Sequence, residues 1–235
     1  MLELYQFRHS PFCLKVRMAL QAKGLEYKKI EVEPGIGQIE VFKLSGQRQV
    51  PVLMKEGKVI HGSGQIIQYL DEINPEPKLI PDEMTLGSQA LIYESWADTT
   101  LANLVKSCLL KAMTIDPDLR VALLPGQLSS PIKNMIKILP LEFAQNMTEF
   151  FSAGDEIRLK KHLYNINLLV KNKRWIIGDS ISVADLAIAA QLSLIYFPES
   201  SGKEIAGRGY KGIYDNPDFE HLFRWRDNLE TYLLK

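Results

Sequence analysis

Ten residues, Asn74 to Glu83, constrain this chain more than any other stretch: NPEPKLIPDE holds three prolines. Proline lacks a backbone N–H and cannot continue a helix, and prolines spaced this closely stiffen a segment into a linker. Before this segment, strand and helix signals alternate; after it, only helical ones appear. The chain therefore reads as two domains, 1–75 and 84–235, joined through 74–83. A length of 235 residues suits that division, and a 46% hydrophobic content supplies a sizeable core.

In the first part, LELYQF alternates apolar and polar residues from Leu2 to Phe7, the two-residue period of a strand. A helix should follow from Pro11. Ser10 suits the N-cap, proline the first helical position, and Gly24 the end. Cys13, Val16, Ala19 and Leu20 supply its apolar face. EYKKIEV is a second strand, and Ile36 to Leu44 a short helix. VPVLMK and KVIHG are strands joined by Glu56 and Gly57, a tight-turn pair. Ser63 then opens a helix whose Ile66, Ile67, Leu70 and Ile73 share a face. The order is β-α-β-α-β-β-α.

Beyond the linker, Met84 to Met113 predicts one long helix. Pro117, Pro125, Pro131 and Pro140 break up an irregular stretch, with one helical segment after Pro131. Gly154 to Lys171 is helical again. In GDSISVADLAIAA, Ser182 stands at an N-cap and Asp185 at the third helical position, the spacing of a capping box. Ser200 to Asn216 holds four glycines and reads as a mobile loop. Pro217 to Leu234 is a last helix.

Composition closes off several functions. Lys plus Arg and Asp plus Glu are 28 each, so no basic face is expected for nucleic acid or an anionic membrane. Two cysteines make no disulfide framework, which points to a reducing compartment. The N-terminal MLELYQFRHS has neither a basic start nor an apolar signal core, so no secretion is expected. The four histidines and two cysteines show no metal-ligand spacing, and no glycine loop is built to cradle a phosphate.

The chemistry concentrates in HSPFCLKVR. Read bare, Ser10 is a helix cap and Cys13 a small buried helix residue. Read as a site, both sit at a helix N-terminus, where unpaired amides and roughly half a positive charge favour an anion. Ser63 repeats the ambiguity at the start of a second helix.

Four segments, SPFCLKVRMAL, QVPVL, GSGQIIQYLDE and GDSISVADLAIAA, occur in an order and at separations that carry a resemblance. Over nearly its whole length the chain resembles the soluble glutathione transferases, in the serine-type branch (zeta-, tau- and theta-like) and not the tyrosine-type. When CLKVR is aligned with the tyrosine classes, their tyrosine falls on Gln6, and Tyr5 should face away.

The resemblance implies a thioredoxin-like α/β N-terminal domain followed by an all-α helical bundle. It implies glutathione as co-substrate, no metal, and a cytoplasmic homodimer that engages neither nucleic acid nor membrane. Ser10 would donate a hydrogen bond to the glutathione sulfur and hold it as thiolate, with Phe12 in the same motif. Val50-Pro51 would be cis and present the Val50 backbone to the cysteinyl part, with Gln49 and Arg48 alongside. Ser63 would take the γ-glutamyl carboxylate. Gly62 departs from the family, which places an acidic residue or glutamine there. Trp96, Thr99 and Asn103 are candidates for the pocket of an apolar electrophile. Alternatives are a glutathione-dependent isomerase, a thiol reductase using Cys13, and a non-catalytic binding or scaffold protein.

Overall fold

The computed structural model of the chain describes residues 1–33, 36–123, 130–138 and 153–233. Its first seven elements are β1 (Leu2–Gln6), α1 (Pro11–Ala22), β2 (Tyr27–Glu31), α2 (Ile36–Ser45), β3 (Val52–Lys55), β4 (Lys58–His61) and α3 (Ser63–Ile73). The order matches the one the sequence predicts. The strands form one mixed sheet, β2-β1-β3-β4, with β1 parallel to β2 and antiparallel to β3. Glu56 and Gly57 both take positive φ in the β3–β4 turn, as a two-residue hairpin with right-handed strand twist requires.

Strand alternation sorts the core. Tyr5 pairs with Val52, and both pack with Val32, Val41, Leu44 and Val59 on the face that α2 covers. Leu4 pairs with Leu53 on the opposite face, and both are fully buried. That face belongs to α1 and α3, which pack on each other through residues such as Val16, Leu20, Ile66 and Ile67, all fully buried.

Only helices follow among the described residues: α4 (Met84–Trp96), α5 (Ala102–Ile115), α6 (Pro117–Ala122), α7 (Ser130–Ile138), α8 (Ala153–Val170), α9 (Val183–Leu192) and α10 (Glu220–Leu233). The fold is a thioredoxin-like sheet domain followed by a helical region. The chain divides into two compact units. One is Met1–Asp98 with Arg174–Ala190 and Leu229–Lys235; the other is Thr99–Lys173 with Gln191–Asn228.

In the first unit the linker is anchored. Asp71 near the end of α3 accepts the backbone N–H groups of Leu79 at 3.0 Å and Ile80 at 2.9 Å. Its Oδ1 also meets Lys23 Nζ at 2.7 Å, where the lysine side chain is 0% exposed. Lys23 Nζ donates further to the carbonyls of Asn74 and Pro77. A second cis bond, Glu76-Pro77, lies within this segment.

The same unit holds the buried Asp185. Its Oδ1 accepts Ile176 N–H at 2.7 Å and its Oδ2 accepts Ser182 N–H at 2.9 Å. The acid reaches back as a capping box requires. The serine differs from expectation: its hydroxyl donates to Asp185 Oδ2 at 2.8 Å. A buried carboxylate with spare lone pairs is the stronger acceptor, so the hydroxyl proton goes to it.

Burial pushes the Asp185 carboxyl up to about 6, against the hydrogen bonds that pull it down. Asp185→Ala should cost about 1–3 kcal/mol, because it strands buried donors. With the folded pKa above the ordinary carboxylate value, this group's contribution is full below ~3.9 and is lost as pH rises through about 6. Urea unfolding of both proteins should therefore show a gap that widens as pH falls from 7 to 5. A gap that narrows would contradict this.

In the second unit, Ala112, Leu119, Phe197 and Ile205 form a buried cluster. Three sequence expectations need correction. The segment from Met84 is not one uniform helix, because a π turn, Ala97–Leu101, separates α4 from α5. Pro117 starts a helix, since Asp116 caps it by accepting Asp118 and Leu119 N–H and proline fits its first position. The glycine-rich stretch is tied down, with Phe197 N–H donating to Arg208 O at 2.8 Å and Tyr210 N–H to Ile195 O at 2.9 Å. Gly209 sits there because a Cβ would stand 2.1 Å from Ile195 O. Pro125 and Pro140 lie outside the described residues.

Candidate functional site

Sheet register gathers three segments at one end. Tyr5, next to the last residue of β1, pairs with Val52, the first residue of β3. Val52 also pairs with His61, the last residue of β4. The loop leaving β1 (Phe7 to Ser10), the turn entering β3 (Arg48 to Pro51) and the start of α3 (Gly62, Ser63) thus share an edge. A hydrogen bond from Gly62 N–H to Pro51 O, 3.4 Å, ties the last two together.

Ser10 is the N-cap of α1, in extended backbone, with Pro11 behind it. Its Oγ accepts Cys13 N–H at 3.4 Å. A hydroxyl that accepts still holds its own proton, so Ser10 remains able to donate. Phe12 is half-buried in the same turn.

Cys13 is 0% exposed, and its Sγ accepts Phe7 N–H at 3.5 Å. Burial raises its thiol above the ordinary value, outweighing the pull of that N–H and of the Ser10 hydrogen bond. A thiol that is both covered and hard to ionise is a poor nucleophile.

Val50-Pro51 is cis. Pro51 is buried, while Val50 is half-buried against the α2-side cluster. Gln49 and Arg48 are exposed, and the Arg48 guanidinium lies 5.8 Å from the centre of the Phe42 ring.

At the α3 start Ser63 opens the helix, as the sequence predicts, but does not cap it. Gly62, with φ 82, is the N-cap, and Ser63 is the first helical residue. Only glycine adopts that φ without strain. Ser63 is 6% exposed.

Two polar clusters carry no motif in the sequence. Lys15, 1% exposed, donates from α1 to Glu94 Oε1 at 2.8 Å and to Asp98. Gly64 in the first turn of α3 packs on this cluster: a Cβ there would stand 3.2 Å from Glu94 Oε1. The second joins β1 to its surroundings: Gln6 donates to Glu31 Oε2 at 3.0 Å and accepts from Arg17 at 2.9 Å. Gln6 thus carries hydrogen bonds at the position where other classes place a tyrosine. The signal for the first cluster was a lysine on an apolar helix face, together with two acids four residues apart.

Trp96 ends α4, Thr99 lies in the π turn, and Asn103 is exposed on α5. These are other elements than the three that form the gathered edge. Among the described residues no cluster of His, Cys, Asp or Glu suits a metal, and no helix is long and apolar enough to cross a membrane.

Residues 4–78 match the family model "Glutathione S-transferase, N-terminal domain". Glutathione S-transferase 1 of Dianthus caryophyllus is 30% identical, covering 81% of this chain and 76% of that protein. Maleylacetoacetate isomerase of Dictyostelium discoideum is also 30% identical, covering 80% and 77%. The solved structure of FzlA from C. crescentus superposes with TM-score 0.67 at 24% identity, covering 98% of this chain and 88% of that one.

Proposed function

We propose that this chain, which belongs to the glutathione S-transferase family, binds glutathione at the gathered end of its sheet and activates the thiol as a thiolate. The observation that carries the reading is Ser10, a capping hydroxyl at the N-terminus of a 12-residue helix. A free thiol ionises near ~8.5, so little is anionic at neutral pH. A donated hydrogen bond and the positive helix end both favour the anion. The Val50 backbone would pair with the cysteinyl part. Ser63 and the first amides of α3 would take the γ-glutamyl carboxylate. Arg48 and Gln49, both exposed, would stand near the glycyl end.

The thiolate then attacks an apolar electrophile, and glutathione is consumed in a conjugate. Residues 1–75 form the glutathione-binding domain in this reading, and 84–235 supply the electrophile pocket, with Trp96, Thr99 and Asn103 as contributors. The protein works as a cytoplasmic homodimer in detoxification. A second reading is favoured by the 30% identity to a maleylacetoacetate isomerase. There the thiolate adds to a conjugated double bond, the bond rotates, and the thiolate is expelled, so glutathione is regenerated. Measuring glutathione consumed per turnover separates the two.

Retention on immobilised glutathione, with elution by free glutathione, tests the common premise. A protein that flows through would instead be a transferase-like scaffold. Cys13→Ala separates the thiol reductase. It should leave conjugation within about twofold of wild type, and should cost stability by ~1–3 kcal/mol through lost core packing. Loss of activity beyond tenfold in a folded Cys13→Ala protein would place the working atom on Cys13.

A further inference from the structure

Ser10 stands at the end of a loop whose main chain is gripped from three elements. Within the loop, Ser10 N–H donates to Phe7 O at 3.0 Å, and Phe7 N–H to Cys13 Sγ at 3.5 Å. Arg8 follows, and side chains take both polar groups of its main chain. Its N–H donates to Glu31 Oε1 at 2.6 Å, at the end of β2. Its carbonyl accepts from Arg17 Nη2 at 3.1 Å, on α1. Gln6, the last residue of β1, closes the ring. Its Nε2 donates to Glu31 Oε2 at 3.0 Å, and its Oε1 accepts from Arg17 Nη1 at 2.9 Å. The Arg17 guanidinium is half-buried. The ionisable groups that act on it are Cys13 on its own helix, Tyr27 and Glu31 on β2, and Glu230 on α10. A guanidinium fork holds two acceptors at fixed angles, which a single ammonium does not. The main chain two residues ahead of Ser10 is thereby fixed to α1, the helix that Ser10 caps.

We propose that Arg17 is a positioning residue for the thiolate: with Gln6 and Glu31 it fixes the loop from Phe7 to Ser10, and so sets where the Ser10 hydroxyl meets the glutathione sulfur. This deepens the reading that Ser10 donates to that sulfur, and rests on it. A hydrogen bond weakens steeply as its angle departs from linear, and a misplacement of about 1 Å can cost roughly 10²-fold in rate. Arg17 acts through Ser10 and not on the ligand itself.

The ultraviolet absorbance of the thiolate, followed against pH with glutathione bound, tests this without any choice of electrophile. Ser10→Ala should bring the bound thiol close to its free value of ~8.5. Arg17→Met should raise it by about one pH unit from wild type, because the loop keeps its internal bonds and loses only the outer grip. Arg17→Lys should fall between Arg17→Met and wild type, since an ammonium can still hold one of the two acceptors. The decisive protein is the double variant. Ser10→Ala with Arg17→Met should titrate like Ser10→Ala alone, because Arg17 then has no donor to position. Glutathione affinity by isothermal titration should stay within about threefold of wild type in every variant. Glu31→Ala, at an exposed residue, removes the other side of the grip and should raise the thiol in the same direction. It takes the place of Arg17→Met should that variant fail to fold. A wild-type thiol value in the folded variant, or a further rise in the double variant, overturns the positioning role. A Ser10→Ala protein that titrates like wild type overturns the reading of Ser10 itself, and this proposal with it.

Discussion

Ser10→Ala should lower the rate of glutathione conjugation at pH 6.5 by about 10²-fold, the size of effect seen when one donor to a developing anion is removed. The loss should fall on turnover and leave KM for glutathione nearly unchanged, because the hydroxyl faces the sulfur while backbone groups and the α3 start bind the rest. Its signature is a pH profile. Without the donor, the bound thiol should ionise closer to its free value of ~8.5, so the mutant should recover most of its rate by about pH 9. The capping bond to Cys13 N–H, at 3.4 Å, is a long one, so the stability cost should stay near the low end of ~0.5–2 kcal/mol. Ser10→Thr retains a hydroxyl and should keep much of the activity. If Ser10→Ala conjugates as fast as wild type at pH 6.5, the serine is only a cap.

Asp71→Ala should be the most damaging single change to stability, about 3–5 kcal/mol in urea unfolding at pH 7. Three losses combine. The Lys23 ammonium, fully buried, loses its counter-ion. The amides of Leu79 and Ile80 lose their acceptors, and so the linker loses its tie to α3. Out of a typical ~5–15 kcal/mol of stability, that is a large share. Replacing both partners, Asp71→Leu with Lys23→Met, should recover part of the loss, since the penalty comes mostly from the unpaired charge. A loss below about 1 kcal/mol for Asp71→Ala would show that the carbonyls of Asn74 and Pro77 alone satisfy the lysine.

The order of elements was legible because it is written locally. Alternation from Leu2, the Ser10-Pro11 cap, the Glu56-Gly57 turn and the isoleucine face of α3 each depend on a few neighbouring residues. Failures came where distant parts of the chain decide. Four glycines read as mobility, yet residues 205–210 are pinned to 195–197 by backbone hydrogen bonds. Ser63 has the right chemistry for an N-cap, but the cap is Gly62, whose φ of 82 no pattern of side chains reveals.

The sequence by itself determined the fold class, the family and the identity of the groups at the candidate site: Ser10, Cys13, Val50-Pro51, Gly62 and Ser63. Only the tertiary structure decided their states. Cys13 is covered by packing that no local pattern reports. Lys15 is neutralised by Glu94 and Asp98, residues far along the chain. Gln65 leans over Gly62 because one residue lacks a Cβ and the other is long enough to use the space. The physical reason is the same in each case. Residue type fixes what a group can do, whereas burial, partners and room are set by neighbours that only strand pairing and helix packing bring near.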